Sequence, residues 1–414
     1  MFSNTIPFVL LVCMLSLGSC SKDLSPLNKN SKIPVRPLAK AEKQLVESDK
    51  KFGLELFKNV LAVQPDSSIF ISPLSVSMAL GMTLNGAANQ TYDDMKQTLQ
   101  FGELSNHEIN EAYQSLIDLL MNLDDEVIFR IANSIWYRQE FHVEQAFIDT
   151  NEYYFDAETA ALNFGSPSAV DIINDWVKDK TNGKIDKVLD NIPALAVMYL
   201  INAIYFKGTW QYKFKKDDTR TKPFYAADGS TADCQMMSIH GEFDYYEDDQ
   251  VQIVDLPYGS GNFSMTVFLP KNSAELNSFA ADLDETNWDM YLSSMTSREG
   301  DIELPKFKFE YKLTMNTVLS AMGMGSAFDE FAADFTRINQ AGDLFISRVL
   351  HKTFIQVDEK GTEAAAVTAV EISFTSAPDG EFNMQINRPF IYVIRDHHSE
   401  AVLFMGKMAK PEWN

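Results

Sequence analysis

Cysteine is the first residue type to consider, because a thiolate can act as a nucleophile, a metal ligand or one half of a disulfide. The chain holds three cysteines, Cys13, Cys20 and Cys234. The first two lie in an apolar N-terminal segment, so the rest of the chain keeps one cysteine and forms no internal disulfide. The sequence neighbours of Cys234 include no cation that would lower the pKa of its thiol. We therefore expect Cys234 to be a structural residue of a strand.

The motifs of common catalytic and cofactor sites are also missing from the sequence. There is no Gly-x-Ser-x-Gly elbow and no His-Glu-x-x-His motif, and residues 323–325 lack the third glycine of a dinucleotide-binding loop. His397, His398 and Glu400 could suggest a metal site, but adjacent side chains of a strand point to opposite faces and chelate poorly. We expect no enzyme activity, no cofactor and no metal.

The N-terminus has the pattern of an export signal. Residues 1–20 carry no charged side chain, and the apolar run Phe8–Leu17 is too short to cross a bilayer but has the length of a signal-peptide core. It ends in Leu17-Gly-Ser-Cys20, which resembles the lipobox of bacterial lipoproteins, whose cysteine is lipidated and becomes the mature N-terminus. No Lys or Arg precedes the apolar run, and the alternative is a plain secretory signal with a chance cysteine.

A tether and a folded body are predicted after this signal. Residues 21–40 are polar and include three prolines, which is typical of a flexible linker. Residues 41–414 then form the folded domain. The expected location is the bacterial cell envelope, either periplasmic or on the extracellular cell surface, with the lipid bilayer as a partner through Cys20.

The body is predicted to be one α+β domain, with helices mostly in its first half and strands mostly in its second. Ser72-Pro73 is a typical helix start, and apolar residues between 52 and 60 recur at helical spacing. Strands are predicted over residues 128–137, 197–206, 251–256, 263–269, 301–310, 351–358, 388–395 and 401–408. The formal net charge of −23 disfavours binding to nucleic acid.

The stretch from Glu359 to Arg388 combines the patterns of a strand and a loop. As a strand, one face would hold Thr362, Ala364, Ala366, Thr368, Val370, Ile372 and Phe374. That face is uncharged, whereas the opposite face carries both glutamates, as in a half-buried strand. Residues 375–383 are polar and contain Pro378, which indicates an exposed loop. The pattern alone does not distinguish an ordinary strand followed by an ordinary loop from a segment that can adopt either a strand or a loop structure.

Residues 359–366, Glu-Lys-Gly-Thr-Glu-Ala-Ala-Ala, resemble the hinge of the reactive loop in the serpin family. The resemblance covers the body from about residue 45 to 412. Further stretches that carry it are Phe70-Ile-Ser-Pro-Leu-Ser75, Ile173-Asn-Asp-Trp-Val177, Thr181-Asn-Gly-Lys184, Asn202-Ala-Ile-Tyr-Phe-Lys-Gly-Thr-Trp210, Leu304-Pro-Lys-Phe307, Asn387-Arg-Pro-Phe390 and Leu403-Phe-Met-Gly-Lys407. The family fold has three β-sheets, eight or nine helices and an exposed reactive loop, and we expect it here.

The resemblance also implies a mechanism in which the chain performs no catalysis. A target endopeptidase, serine or alternatively cysteine, attacks the loop and forms an acyl-enzyme. The cleaved loop then inserts into the main sheet as a new strand, and the protease is distorted before it deacylates. The inhibitor is expected to be a monomer. The alternative is a non-inhibitory serpin that acts as a lipid-anchored binding or chaperone protein, although such members often have charged, bulky or proline residues in the hinge.

Three groups of residues receive roles from the resemblance. The hinge comprises Glu359, Gly361, Thr362, Glu363, Ala364, Ala365 and Ala366. The shutter, a polar cluster under the part of the sheet that opens, comprises Ser72, Ser75, Asn202 and His351. The breach, where the loop enters the sheet, comprises Trp210, Lys306 and Glu359.

Alignment from Glu359 places the reactive bond at Thr375–Ser376, with Phe374–Thr375 as the alternative. Threonine suits the pocket of an elastase-like enzyme, and phenylalanine suits that of a chymotrypsin-like enzyme. No Lys or Arg lies between Gly361 and Asn387, which disfavours trypsin-like targets.

Overall fold

The first half of the chain is mainly helical, as the apolar spacing predicts. This computed structural model describes residues 1, 35–226, 228–272, 276–362 and 381–413. Its longer helices are α1 (Lys40–Val63), α2 (Pro73–Leu84), α3 (Asn89–Thr98), α4 (Asn106–Met121), α5 (Gln145–Phe155) and α6 (Pro167–Lys180). The start of α2 is as predicted: Ser72 accepts a hydrogen bond from the Ser75 amide, and Pro73 occupies the first turn, where its missing N–H is harmless.

Four further helices follow later in the chain. They are α7 (Leu276–Ala281), α8 (Glu285–Ser294), α9 (Asn316–Leu319) and α10 (Gly325–Phe328). A π-helical turn, Ser320–Met324, joins α9 to α10, and Gly323 within it has a φ of 120°, which favours glycine. If these three pieces are counted as one kinked helix, the described residues contain nine helices apart from a single 3₁₀ turn, in agreement with the expected eight or nine.

Fifteen strands, in two hydrogen-bonded sheets, make up the rest of the described secondary structure. They are β1 (Ile69–Ile71), β2 (Val127–Arg138), β3 (Ala157–Leu162), β4 (Met198–Thr209), β5 (Arg220–Tyr225), β6 (Thr231–Glu247), β7 (Val251–Tyr258), β8 (Phe263–Pro270), β9 (Thr296–Pro305), β10 (Phe307–Thr314), β11 (Leu350–Asp358), β12 (Gly361–Thr362), β13 (Phe382–Gln385), β14 (Phe390–Asp396) and β15 (Val402–Met408).

The strands form two hydrogen-bonded sheets, whereas the resemblance implied three, because one of the two sheets combines two groups of strands. The six-stranded sheet has the order β10-β11-β12-β4-β2-β3. The nine-stranded sheet has the order β1-β15-β14-β8-β7-β6-β9-β13, with β5 also paired to β6. The 17-residue strand β6 pairs with β9 over 236–245 but with β7 only over 245–247. It therefore links two strand groups, and these two groups together with the six-stranded sheet correspond to the three sheets of the expected fold.

The prediction of one strand over residues 301–310 is wrong. The segment forms β9 and β10, which belong to different sheets and are separated at Lys306. The Lys306 amide donates to the Gln235 carbonyl on β6, whereas the Lys308 amide already donates to Glu412. The preceding Pro305 has no N–H to continue a ladder, so the strand ends there and the chain passes from one sheet to the next.

Residues Arg36–Asn414 form one compact unit. It is fixed at its start by Arg36, whose guanidinium lies 2.6 Å from Glu42 Oε1 and 2.9 Å from the Ser115 carbonyl oxygen. Within the described ranges, no helix has the length and apolar character needed to cross a membrane. Cys234 lies buried on β6, and burial raises the pKa of its thiol to about 11, in keeping with the structural role expected for it.

Candidate functional site

The short strand β12 separates β4 from β11 in the six-stranded sheet. Thr362 lies opposite Val357 on β11 and Gly208 on β4, and both pairings are antiparallel. The two flanking strands therefore run parallel to each other. Beyond β12, the described parts of β4 and β11 share no ladder hydrogen bonds with each other. We call the space between them the slot, bounded by 198–207 of β4 and 350–356 of β11.

Aromatic packing holds β12 in place at one end of the slot, which we call the upper end. Trp210 Nε1 donates to the Asp358 carbonyl at 2.9 Å, and the Trp210 ring stacks on Tyr258 with 4.4 Å between centroids. The Tyr258 hydroxyl is 2.5 Å from Thr362 Oγ1, and Thr362 is only 4% exposed. Thr362 is therefore already on the buried face that the alternation of the sequence assigned to it.

Gly361 is required by the close approach of β12 to β4. Its φ is +146°, and a Cβ at this position would lie 2.1 Å from the Gly208 carbonyl oxygen. Any other residue would collide with backbone, which cannot move aside as a flexible side chain could.

An ion pair lies beside this upper end of the slot. Lys306 Nζ is 2.9 Å from Glu359 Oε2, and Thr219 Oγ1 donates to Glu359 Oε1 at 2.9 Å. The side chains of Lys306 and Glu359 are 15% and 12% exposed. Burial by itself would raise the pKa of Glu359, but the hydrogen bonds from Lys306 and Thr219 outweigh it and hold the pKa below its ordinary value. The structure thus brings the three breach residues, Trp210, Lys306 and Glu359, to one place.

Three of the four shutter residues form a hydrogen-bonded chain at the start of α2. The Ser72 amide donates to His351 Nε2 at 3.1 Å, which joins the helix start to β11. Ser72 Oγ donates to the Leu403 carbonyl at 2.7 Å and accepts from the Ser75 amide at 3.2 Å. Ser72 is therefore a helix cap that also connects α2 to strands of both sheets.

His351 is neutral in this environment. The residue is buried, and burial lowers the pKa of its imidazole to about 4. Because Nε2 accepts a hydrogen bond from Ser72, the single ring proton lies on Nδ1.

The fourth shutter residue, Asn202, faces the same cavity but bonds elsewhere. Its Nδ2 donates to Asn133 Oδ1 on β2 at 2.8 Å, and Asn133 Nδ2 donates to the Phe155 carbonyl at 2.7 Å. Asn202 Oδ1 is buried and has no hydrogen-bond partner among the described residues. A cavity of about 440 Å³, which extends along the slot, is lined by Asn202, His351 and Ser75 among others.

Sequence reasoning missed several partners of the site. Asn133 is 69 residues from Asn202, Tyr258 is 104 residues from Thr362, and Thr219 is 140 residues from Glu359. None of the three has a local pattern that signals such a contact. Eight predicted residues lie outside the described part of the chain: Cys20, Glu363, Ala364, Ala365, Ala366, Phe374, Thr375 and Ser376.

The residues considered for a metal site near the C-terminus, His397, His398 and Glu400, are not arranged as a chelate. His397 Nε2 lies 3.0 Å from Asp255 Oδ2, whereas His398 Nε2 lies 2.7 Å from the Arg36 carbonyl oxygen. His397 and His398 lie in the turn after β14, and their imidazoles have different partners.

A family model described as Serpin (serine protease inhibitor) matches residues 47–411. The chain belongs to the serpin family. Mouse leukocyte elastase inhibitor A is 31% identical over 381 residues, which covers 89% of this chain and all of the relative. Tengpin, a thermophilic serpin solved in its native state, superimposes with a TM-score of 0.81 at 32% identity, covering 91% of this chain and 96% of tengpin. Human thyroxine-binding globulin, solved in complex with thyroxine, gives a TM-score of 0.82 at 26% identity, covering 90% of this serpin and all of the globulin.

The depressed pKa of His351 gives this serpin a defined pH dependence. An unfolded histidine titrates near pH 6.5, and folded His351 titrates near pH 4. Stability that depends on neutral His351 is fully present above about pH 6.5 and is lost as the pH falls towards 4, on the order of 3 kcal/mol in all. We expect monomer loss at 37 °C, followed by size-exclusion chromatography, to accelerate from pH 7.5 to 4.5. His351→Gln, which cannot titrate, should show a weaker pH dependence, and equal pH dependence of the two proteins would contradict this assignment.

Proposed function

We propose that this serpin is a single-use inhibitor of secreted serine endopeptidases that inserts its cleaved reactive loop between β4 and β11. The observation that carries the proposal is the position of β12. Thr362, the second residue of β12, is paired in register with both flanking strands at one end of the slot. A strand that continued from it would gain two ladders of hydrogen bonds at once.

The register of β12 predicts which residues would meet in the inserted state. Each further residue of the loop would lie opposite the preceding residue on both β4 and β11, because both pairings are antiparallel. Six residues on, Thr368 would lie opposite His351 and Asn202. Its hydroxyl could then donate to Asn202 Oδ1, which is buried without a partner among the described residues. The same register places residues 362–372 against 208–198, so the insert would cover β4 almost completely.

The energetics favour such an insertion strongly. Each ladder hydrogen bond contributes about 0.5–1.5 kcal/mol net, and burial of an aliphatic side chain contributes about 1.5–3 kcal/mol. In a strand continued from β12, Val370 and Ile372 would lie on the same face as Thr362, which is buried. A sum of many such terms makes insertion irreversible, and the acyl-enzyme is carried along before it can deacylate. The catalytic residue belongs to the protease, and the serpin supplies the loop and the slot.

The expected targets are elastase-like and chymotrypsin-like enzymes. The loop offers Thr375 or Phe374 and contains no Lys or Arg, and one relative is named for inhibition of leukocyte elastase. Incubation with elastase, chymotrypsin and trypsin should give complexes stable to SDS with either of the first two. The mass of the released C-terminal peptide should correspond to cleavage at Thr375–Ser376, or one residue earlier. Tight inhibition of trypsin alone would contradict this specificity, and capture of a cysteine endopeptidase would extend the target class.

A ligand carrier is the second candidate function, because thyroxine-binding globulin has the same fold. Small hinge residues and the burial of Thr362 favour the inhibitor, since both assist insertion of a strand. Failure of every protease in the panel to form a covalent complex, with simple cleavage of the loop instead, would favour the carrier.

The inhibitor is further proposed to be anchored to the bacterial envelope through a lipidated Cys20. The proposal rests on the apolar run and the lipobox-like Leu17-Gly-Ser-Cys20, followed by a polar tether. One acyl chain binds a bilayer only weakly, so stable anchoring requires the several chains of a bacterial lipoprotein. We expect the wild-type protein in the membrane fraction and Cys20→Ala in the soluble fraction. A Cys20→Ala protein that remains wholly with membranes would contradict lipidation at this residue.

A further inference from the structure

One histidine and three carboxylates meet on an exposed face of the nine-stranded sheet. His240 lies on β6, Glu299 and Asp301 lie on β9, and Glu381 directly precedes β13. The imidazole lies between the two β9 carboxylates. Its Nδ1 is 3.1 Å from Asp301 Oδ1, and its Nε2 is 3.2 Å from Glu299 Oε1. The parallel register of β13 on β9, extended by one residue, puts Glu381 beside Glu299.

The ligand atoms of His240, Glu299 and Glu381 are close enough to share one ion. One atom from each side chain lies within 4.8 Å of the other two. Glu381 Oε1 is buried and has no hydrogen-bond partner among the described residues, an unfavourable state for a carboxylate oxygen. The three carboxylates also carry more negative charge than the one imidazole can offset, even when the imidazole is protonated. His240 and Asp301 are 40% and 55% exposed, so an ion has access from solvent.

We propose that His240 Nε2, Glu299 and Glu381 bind a divalent metal ion of the zinc class, with water as the fourth ligand. Imidazole nitrogen and carboxylate oxygen are common zinc ligands, at about 2.0–2.2 Å in tetrahedral sites. The histidine favours such an ion over calcium or magnesium, which prefer oxygen ligands alone. Asp301 would accept the Nδ1 proton and hold the ring with Nε2 towards the metal, as a carboxylate often does for a zinc-bound histidine.

The bound ion would attach β13 to β9 and β6. Its effect on loop insertion rests on the proposed function and follows from the length of the loop. If the uncleaved loop filled the slot through residue 372, ten Cα–Cα steps would lead from residue 372 back to Phe382, the same number as in the inserted strand 362–372. The inserted strand would be about 33 Å long and ten fully extended steps span at most about 36 Å, so the returning segment would have almost no slack. The Ile386 amide, just beyond β13, donates to the Glu303 carbonyl, three residues before Lys306 in the sequence. Insertion without cleavage would therefore pull on β13, and the metal would oppose displacement of this strand.

Calorimetric titration of the intact protein with zinc chloride tests the site. One zinc ion should bind per chain. His240→Ala and Glu381→Gln should each weaken binding by at least about tenfold, because loss of even an outer-shell partner typically costs about 10–100-fold in metal affinity. His142→Ala is the matched control, because His142 is 75% exposed and lies next to Glu144 on another part of the surface. Wild-type affinity in both site variants would show that zinc binds elsewhere and would overturn the proposal.

Hydrogen exchange tests whether bound zinc holds β13 in place, which is a separate question from whether zinc binds. Zinc should slow exchange of the β13 amides in the wild-type protein but not in Glu381→Gln. It should also slow the loss of inhibitory activity on storage of the wild-type protein. Binding that protects no amide of β13 would overturn the attachment of this strand. Both the titration and the exchange can be read even if no protease is inhibited, so a failure of the proposed function would be recognised separately.

Discussion

Thr362→Arg is expected to convert this serpin from an inhibitor into a substrate of its target protease. Thr362 is buried between β4 and β11 and its hydroxyl contacts that of Tyr258. A guanidinium at this position cannot lose its charge, and burial raises the pKa of Tyr258 so that the phenol stays neutral and offers no counter-charge. An unpaired buried charge costs several kcal/mol.

The expected effect on the kinetics is large. Because Thr362 is already buried before cleavage, the arginine is expected to move β12 out of the sheet in the uncleaved protein, so that insertion must then bury the charge. A penalty of about 3 kcal/mol in the transition state for insertion slows that step on the order of 100-fold, because each 1.36 kcal/mol is a factor of ten in rate. Deacylation depends on the protease and is unchanged, so most acyl-enzyme should hydrolyse. The ratio of cleaved inhibitor to SDS-stable complex measures this outcome directly.

Glu363→Arg is the control for this substitution. The next residue belongs to the opposite face of the predicted strand, which carries the glutamates. An arginine there is expected to remain in solvent and to leave the ratio near the wild-type value. Equal trapping of protease by both variants would show that the alternation does not describe the inserted loop.

His351→Ala is expected to let the six-stranded sheet open at a lower temperature than in the wild-type protein. The substitution leaves the buried Ser72 amide without its acceptor, which costs about 1–3 kcal/mol, and it also creates a cavity. The contact between α2 and β11 is weakened where the slot must widen. We expect polymers or spontaneous insertion on mild warming, seen as loss of monomer by size-exclusion chromatography a few degrees below the wild-type temperature.

The exposed histidine His142 provides a control here as well. His142→Ala removes an imidazole of the same size from a surface position, and we expect the temperature of monomer loss to stay unchanged. If His351→Ala and wild type lose monomer at the same temperature, then the bond between Ser72 and His351 does not control opening of the sheet.

Local patterns predicted the elements that depend on local chemistry. Ser72-Pro73 marked the start of α2 correctly, and the alternation of residues from Thr362 placed that side chain on the buried face. The strand predicted over 301–310 failed because periodicity does not reveal which sheet a residue joins. Its division at Lys306 depends on the bond from the Lys306 amide to Gln235 in a distant strand.

The candidate site depended on contacts that no local pattern encodes. The family resemblance placed Lys306 and Glu359 together in the breach, and their side chains form an ion pair. It did not indicate Tyr258, which bonds to Thr362, or Asn133, which holds the amide of Asn202. Such partners are set by the folding of strands far apart in sequence, so only the three-dimensional structure could identify them.

Insertion of the cleaved loop between β4 and β11 is tested most directly by hydrogen exchange before and after cleavage at residues 375–376. We predict that the backbone amides of β4 and β11 exchange markedly more slowly in the cleaved protein, because a new strand pairs with both. The buried strand β8, in the other sheet, should exchange at the same rate in both forms and serves as an internal reference. Unchanged exchange in β4 and β11 after complete cleavage would show that the loop does not insert between them.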